Sequence, residues 1–479
     1  MAKLPAFAID SRNGRDTGMP QALEAASSAG PGPALRRRLG LPLLVLYGVG
    51  ITVGAGIYVL IGAVAGHAGI YSPWSFLLAG IVMAFTVASY IELSTRFPVS
   101  AGEAAYVRAA FDSRLLSTMV GLCTIVIGVM SASAVTLGSV GYVRQFVDLP
   151  QELLVLVLLL LLGGVAMWGI FESVVIAGLL TLVEVGGLVA IIIAAVNAEL
   201  PIANTLTTLP PLEFHVLSGI ATASLLAFFA FIGFEDLANI VEEAHEPRRD
   251  VPRAMVLTLV ISTVLYVVVG AVAVSAVSVD RLASSPAPLG LVFREVAGLS
   301  PQTINAIAVV ATLNTILAQL TMTSRVLYGM ARQGDLPFVF GTVHPATATP
   351  WLATAVAVSI AAGLALLFPL TGLAEGTSVA TLAVFALVNL ALLRLKYRRP
   401  SSTGTHVHVP IWMPIAGLAS SSAHDRCGLD RLKPTIAFAQ DQLEPPATGY
   451  SAGSKQTECF HGYQGHPARV EELPRTHEQ

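Results

Sequence analysis

The sequence predicts an all-α protein that crosses a membrane many times, and three observations carry that prediction. Of 479 residues, 54% are hydrophobic and only 12% charged, too little polar surface to cover a water-soluble body of this length. Apolar runs long enough to cross about 30 Å of hydrocarbon recur along the chain. Two of them, the first and the sixth, are interrupted midway by small residues: Gly54-Ala55-Gly56 within 41–66, and Phe231-Ile232-Gly233-Phe234 within 218–241.

Taken in order, the apolar runs cover 41–66, 73–97, 115–143, 152–171, 173–196, 218–241, 254–278, 302–330, 350–369 and 373–393, which predicts ten helices. The turn Phe171-Glu172-Ser173 separates the fourth from the fifth. Basic residues beside the runs set the orientation. Arg36, Arg37, Arg38, Arg96, Arg108, Arg114, Arg248, Arg249, Arg253, Arg325, Arg332, Arg394, Lys396, Arg398 and Arg399 fall on one side. Only Arg144, Arg281 and Arg294 fall on the other, which predicts a cytoplasmic N-terminus. Residues 1–34 hold acids, Pro, Gly and Ser without a signal-like apolar core and read as a disordered cytoplasmic tail.

Several function classes are excluded at this level. A net charge of −3, with the charges confined to loops and tails, gives no basic face for nucleic acid. Cys123, Cys427 and Cys459 have neither metal-ligand nor redox-pair spacing, and His406 and His408 stand without further ligands. No nucleophile and base fall together in the spans, so neither an enzyme nor a resident metal or cofactor is expected.

The chemistry lies at the interruptions. A continuous helix satisfies its own backbone, whereas a break at mid-membrane leaves N–H and C=O groups facing a cavity where they can hold a charged solute. Small residues also serve simple close packing, and Gly62 and Gly66 fit that use. Phe229, Phe231 and Phe234 beside the second break either cover a ligand or pack in the core. Glu184 lies in the middle of the fifth run, where an ionised acid costs about 3 kcal/mol, which makes it a candidate proton carrier or a structural hydrogen-bonding acid. Glu235, just past the second break, is a further proton or gating candidate, with Asp236 beside it. Asn314 reads as a substrate contact or a helix bridge. Glu92 and Arg96, one turn apart, read as a modest surface pair.

The stretches around these residues resemble a known family. They are Gly54-Ala55-Gly56-Ile57-Tyr58, then Tyr90-Ile91-Glu92-Leu93 with Pro98 and Ala101-Gly102-Glu103, and Phe231-Ile232-Gly233-Phe234-Glu235-Asp236 leading into Glu242 to Ala254. Ser324 to Arg332 with Gly334, Leu336-Pro337, His344-Pro345 and Thr349-Pro350 completes the set. Together they are similar to the amino acid-polyamine-organocation permeases over residues 38–418. The resemblance implies a five-plus-five inverted-repeat fold with discontinuous helices one and six, a ten-helix core over 35–400 and alternating access to a central site. It implies that a substrate carboxylate meets the amides of Gly54, Ala55 and Gly56, and that its amine meets carbonyls around Thr52, Phe229 and Ile232, beside Gly233. Phe229 and Phe231 would gate the site. Glu235 matches an acid tied to pH response, and Glu184 stands where some proton-coupled relatives carry a lysine.

Residues 401–418 begin like an eleventh span, after which 419–479 turn polar, as a shifted reading frame near Leu418 would produce. The expected function is secondary active transport of an amino acid or related amine across the plasma or inner membrane, proton-coupled or exchanging. The alternative is a non-transporting membrane sensor or a defective remnant of such a protein. A small-molecule substrate, a coupling proton and a homodimer are the expected partners.

Overall fold

The structure, a computed structural model, describes residues 39–98, 102–168, 174–239, 241, 244–298, 300–332, 334–342, 344, 349–398 and 407–421. The expected N-terminal tail, the join at Phe171-Glu172-Ser173 and the polar stretch from 422 onward lie outside the described residues. Among the described residues every regular element is helical, with one isolated bridge between Leu39 and Ala244.

In chain order the helices are α1 (Leu41–Val53), α2 (Gly56–Ala68), α3 (Ser72–Arg96), α4 (Gly102–Phe111), α5 (Arg114–Val143), α6 (Gln151–Trp168), α7 (Val174–Asn197), α8 (Ile202–Thr207) and α9 (Phe214–Phe229). They continue as α10 (Asp236–Asn239), α11 (Pro247–Ala276), α12 (Val279–Ala283), α13 (Pro288–Ala297), α14 (Gln302–Arg332), α15 (Trp351–Leu367) and α16 (Leu370–Arg398). A further helix, α17, covers 412–421 and so runs three residues past Leu418. The helical runs Gly56–Arg96, Arg114–Val143, Gly178–Asn197, Pro247–Ala276, Gln302–Ala331 and Leu370–Arg398 are long and apolar enough to cross a bilayer. Leu41–Val53, Gln151–Met167, Phe214–Phe229 and Trp351–Leu367 are shorter apolar helices. The chain is thus an all-helical, multi-pass membrane protein.

The local sequence explains where these helices start and stop. Pro42, Pro73, Pro247 and Pro288 sit in first turns, where the missing N–H costs nothing. Ser113 caps α5 by accepting the Leu116 amide at 3.3 Å. Gly298, in the left-handed region at φ 62°, ends α13, and Lys396 and Arg398 occupy the last turn of α16.

Packing places the interrupted helices inside. α5 lies against α14 and α16, α11 against α3 and α1, α9 against α2, and α7 against α1. The core they enclose holds five tyrosines with no exposed surface, Tyr58, Tyr90, Tyr106, Tyr142 and Tyr266. Tyr90 packs edge-on against Phe234 and Phe385, with ring centroids 5.3 and 5.5 Å apart.

Glu92 departs from the sequence expectation. Its side chain is fully buried, not at the surface, and pairs with Arg96 through one oxygen. The other oxygen meets Lys396 Nζ of α16 at 2.6 Å and accepts the Val409 amide at 2.9 Å. Lys396 in turn donates to the Val409 carbonyl at 2.6 Å, so the stretch before α17 is held at both backbone groups. Spacing along α3 reveals only the Arg96 partner, because the other two lie some 300 residues away in sequence.

Candidate functional site

The first interruption is short. Gly54 still donates its amide to the Gly50 carbonyl at 2.9 Å, and α2 begins at Gly56, so only Gly54 and Ala55 stand outside helix. Both keep right-handed backbone angles, which makes the break a kink and not an unwound loop. The expected carboxylate cradle of Gly54, Ala55 and Gly56 is therefore narrowed: the Gly54 amide is already engaged. The first-turn amides of α2, beginning at Gly56, are those a helix N-terminus leaves without an intrahelical acceptor.

The second interruption runs from Ala230 to Glu235. The end of α9 tightens into three-residue turns, in which Phe231 donates to the Phe228 carbonyl at 2.9 Å and Ile232 to the Phe229 carbonyl at 3.2 Å. Gly233 then reverses the chain at φ 123°, a conformation that favours glycine. Its amide donates to Glu235 Oε2 at 2.8 Å. Glu235 thus caps the turn that leads into α10.

The two interruptions touch. A methyl group built on Gly56 would lie 2.3 Å from Ala230 Cα, and one on Gly233 would lie 2.4 Å from Ile51 Cγ2. The small residues bring the two broken backbones together. Thr52, Ala55, Phe229, Phe231 and Ile232 are all buried around this contact. The Phe231 ring stacks edge-on against Tyr266, with centroids 5.0 Å apart.

A set of hydroxyls ties the surrounding helices to these backbones. Tyr58 donates to the Glu184 carbonyl at 2.6 Å, and Tyr142 donates to the Tyr58 carbonyl at 2.6 Å. The Tyr266 hydroxyl lies 2.6 Å from the Thr52 carbonyl and 2.8 Å from that of Ala230. The Glu184 side chain is fully buried, with the Asn314 side chain as its polar neighbour.

The sequence reading passed over these tyrosines. A lone hydroxyl in an apolar run leaves no mark on hydropathy, and its acceptors are backbone carbonyls on other helices. A cleft of about 510 Å³ opens next to the site, lined by Val59, Gly62, Ala63, Arg144, Asp148, Gln151 and Leu370 among others. It reaches α2 one turn beyond the first interruption and does not include the interruption itself.

A family model described as "Amino acid permease" matches residues 39–423, which takes in both interruptions and the clamp at Glu92. The chain belongs to the amino acid permease family. The permease is 29% identical over 393 residues to the branched-chain amino acid permease of Bacillus subtilis, an alignment covering 77% of this chain and 82% of the relative. It is 30% identical over 431 residues to the mitochondrial cationic amino acid transporter 3 of Arabidopsis thaliana, covering 85% of this chain and 69% of the relative. The methylthioribose transporter of Bacillus subtilis is 27% identical over 402 residues, covering 79% of this chain and 85% of the relative. These relatives are transporters, not enzymes.

Proposed function

We propose that this permease is a secondary active transporter of an amino acid or related amine, with a substrate site at the paired interruptions. The observation that carries this reading is the contact of Gly56 with Ala230, which sets the N-terminus of α2 beside the C-terminus of α9. A helix N-terminus attracts a carboxylate and a helix C-terminus attracts an ammonium, and an α-amino acid bears both. On this reading α1 with α2 forms discontinuous helix one, and α9 with α10 forms discontinuous helix six. Helices one to five and six to ten form two inverted repeats that rock around the site. The family match supports amino acid transport, while the relatives' names span branched-chain and cationic amino acids and a sugar thioether.

Coupling is assigned to Glu184, a fully buried carboxyl beside the interruptions. Glu235 is assigned a gating role through its bond to the Gly233 amide, with Phe229 and Phe231 covering the site. The test is uptake of labelled L-leucine and L-arginine into proteoliposomes, with and without an imposed pH gradient. Accumulation above equilibrium that needs the gradient is expected. No accumulation and no exchange of any amino acid in a broad panel overturns the reading.

A further inference from the structure

Resting on that reading of the site, we infer that Tyr266 is a substrate ligand, its hydroxyl oxygen completing a three-acceptor ammonium site with the carbonyls of Thr52 and Ala230. Both carbonyls belong to helix ends. Thr52 lies in the last turn of α1, and Ala230 is the C-cap of α9. Each end carries roughly half a negative charge from its helix dipole, so two negative ends converge on one hydroxyl.

The hydroxyl does not balance them. It has one proton to share between two carbonyls, at 2.6 and 2.8 Å, so each carbonyl keeps acceptor capacity. Further polar side chains on the same helix and beside it lack partners. Thr258, Ser262 and Tyr266 recur four residues apart on one face of α11, and the side-chain oxygens of Thr258 and Ser262 have no hydrogen-bond partner. The Thr52 hydroxyl is also buried without one. Buried polar groups left without partners mark a place that a polar ligand can complete.

A primary ammonium supplies three N–H donors. Two go to Thr52 and Ala230, and the third goes to a lone pair of Tyr266 Oη. A carbonyl oxygen has two lone pairs, so the hydroxyl keeps its own proton on one of the carbonyls while it accepts from the ammonium. The Tyr266 ring is fixed between Phe76, at 5.7 Å, and Phe231, at 5.0 Å, so ligand entry also bears on an aromatic side chain of the second interruption. The inference therefore commits the site to primary amines and against solutes that lack N–H donors.

The experiment measures binding of L-leucine, N,N-dimethyl-L-leucine and methylthioribose to the full-length chain in nanodiscs, for the wild type and Tyr266→Phe. The wild type should prefer L-leucine to its dimethyl analogue and ignore methylthioribose, a solute without an amine. Tyr266→Phe should weaken L-leucine by about tenfold or more, the usual worth of a hydrogen bond to a charged group, and weaken the dimethyl analogue much less. Equal loss for both ligands, or no loss, overturns the role of Tyr266 while leaving the amino acid reading intact. Binding of methylthioribose and of no amino acid overturns both.

A second measurement uses the wild type alone and does not depend on how the variant folds. Ring-labelled tyrosine should show a C–O stretching shift in the infrared difference spectrum when L-leucine binds. Absence of any tyrosine shift also overturns the inference.

Discussion

At the scale of single residues, the site combines positions that permit no side chain with one that carries a buried carboxyl. Gly56→Ala would set a methyl 2.3 Å from Ala230 Cα, and backbone cannot rotate away as a side-chain tip can. Gly233→Ala would hold a Cβ at φ 123°, at a cost of about 1–3 kcal/mol. Both variants should lower the melting temperature and abolish uptake. Retained uptake in Gly56→Ala would mean that the interruptions separate freely. Glu184→Gln should behave differently, because the amide keeps the volume and removes only the exchangeable charge. Gradient-driven accumulation should fall to the level seen without a gradient while exchange persists. Unchanged accumulation removes Glu184 from coupling. Glu184 and the glycines were legible because a charge or a helix-weakening residue stands out in an apolar run. Tyr58, Tyr142 and Tyr266 were not, since their partners are carbonyls that every sequence has.

At the scale of elements, helix existence was readable in the ten apolar runs, which are too long and uniform to be anything else in a membrane, but not in α4, α8, α12 and α13, which lie in the joins between them. Contacts between elements were not. Glu92 illustrates the difference: adjacent residues offered Arg96, while Lys396 and the Val409 backbone make it a buried clamp joining α3, α16 and the stretch leading to α17. Removing Lys396 leaves the buried Glu92 carboxylate with Arg96 and the Val409 amide alone, so Lys396→Met should destabilise the protein by about 1–3 kcal/mol. Glu92→Gln combined with Lys396→Met should cost less than the sum of the two single changes, read from thermal melts in detergent. Additive losses would mean that the pair does not interact. Helix α4 gives a second test. Burial pushes the Glu103 carboxyl above the usual carboxylate range, partly opposed by hydrogen bonds from its own amide and from Tyr90, whose hydroxyl lies at 2.9 Å. The folded protein then holds a proton that the unfolded chain releases, so stability falls as pH rises from the ordinary carboxyl range through the raised one. Glu103→Gln should flatten that slope, and an unchanged melting profile against pH would contradict it.

At the scale of the whole molecule, the proposal requires that access to the paired interruptions switches sides, and the ligand-free shape fixes which measurement can see it. The interruption residues are buried, whereas the cleft beside α2 runs past Ala63 to Val59, one turn away. An aqueous path therefore approaches the site along α2 without reaching it. With Cys123, Cys427 and Cys459 replaced by serine, Ala63→Cys should react with a membrane-impermeant maleimide applied to one face of the membrane only. If helices one and six move as parts of two rocking repeats, a transported amino acid must redistribute the protein between open and closed cleft, and the labelling rate must change when that amino acid is added. A non-transported stereoisomer should leave the rate untouched. A rate indifferent to every transported solute would mean that the cleft does not belong to the transport path. The site would then have to be reached by movement elsewhere in the bundle, and the pairing of the two interruptions would lose its mechanical role while keeping its chemical one.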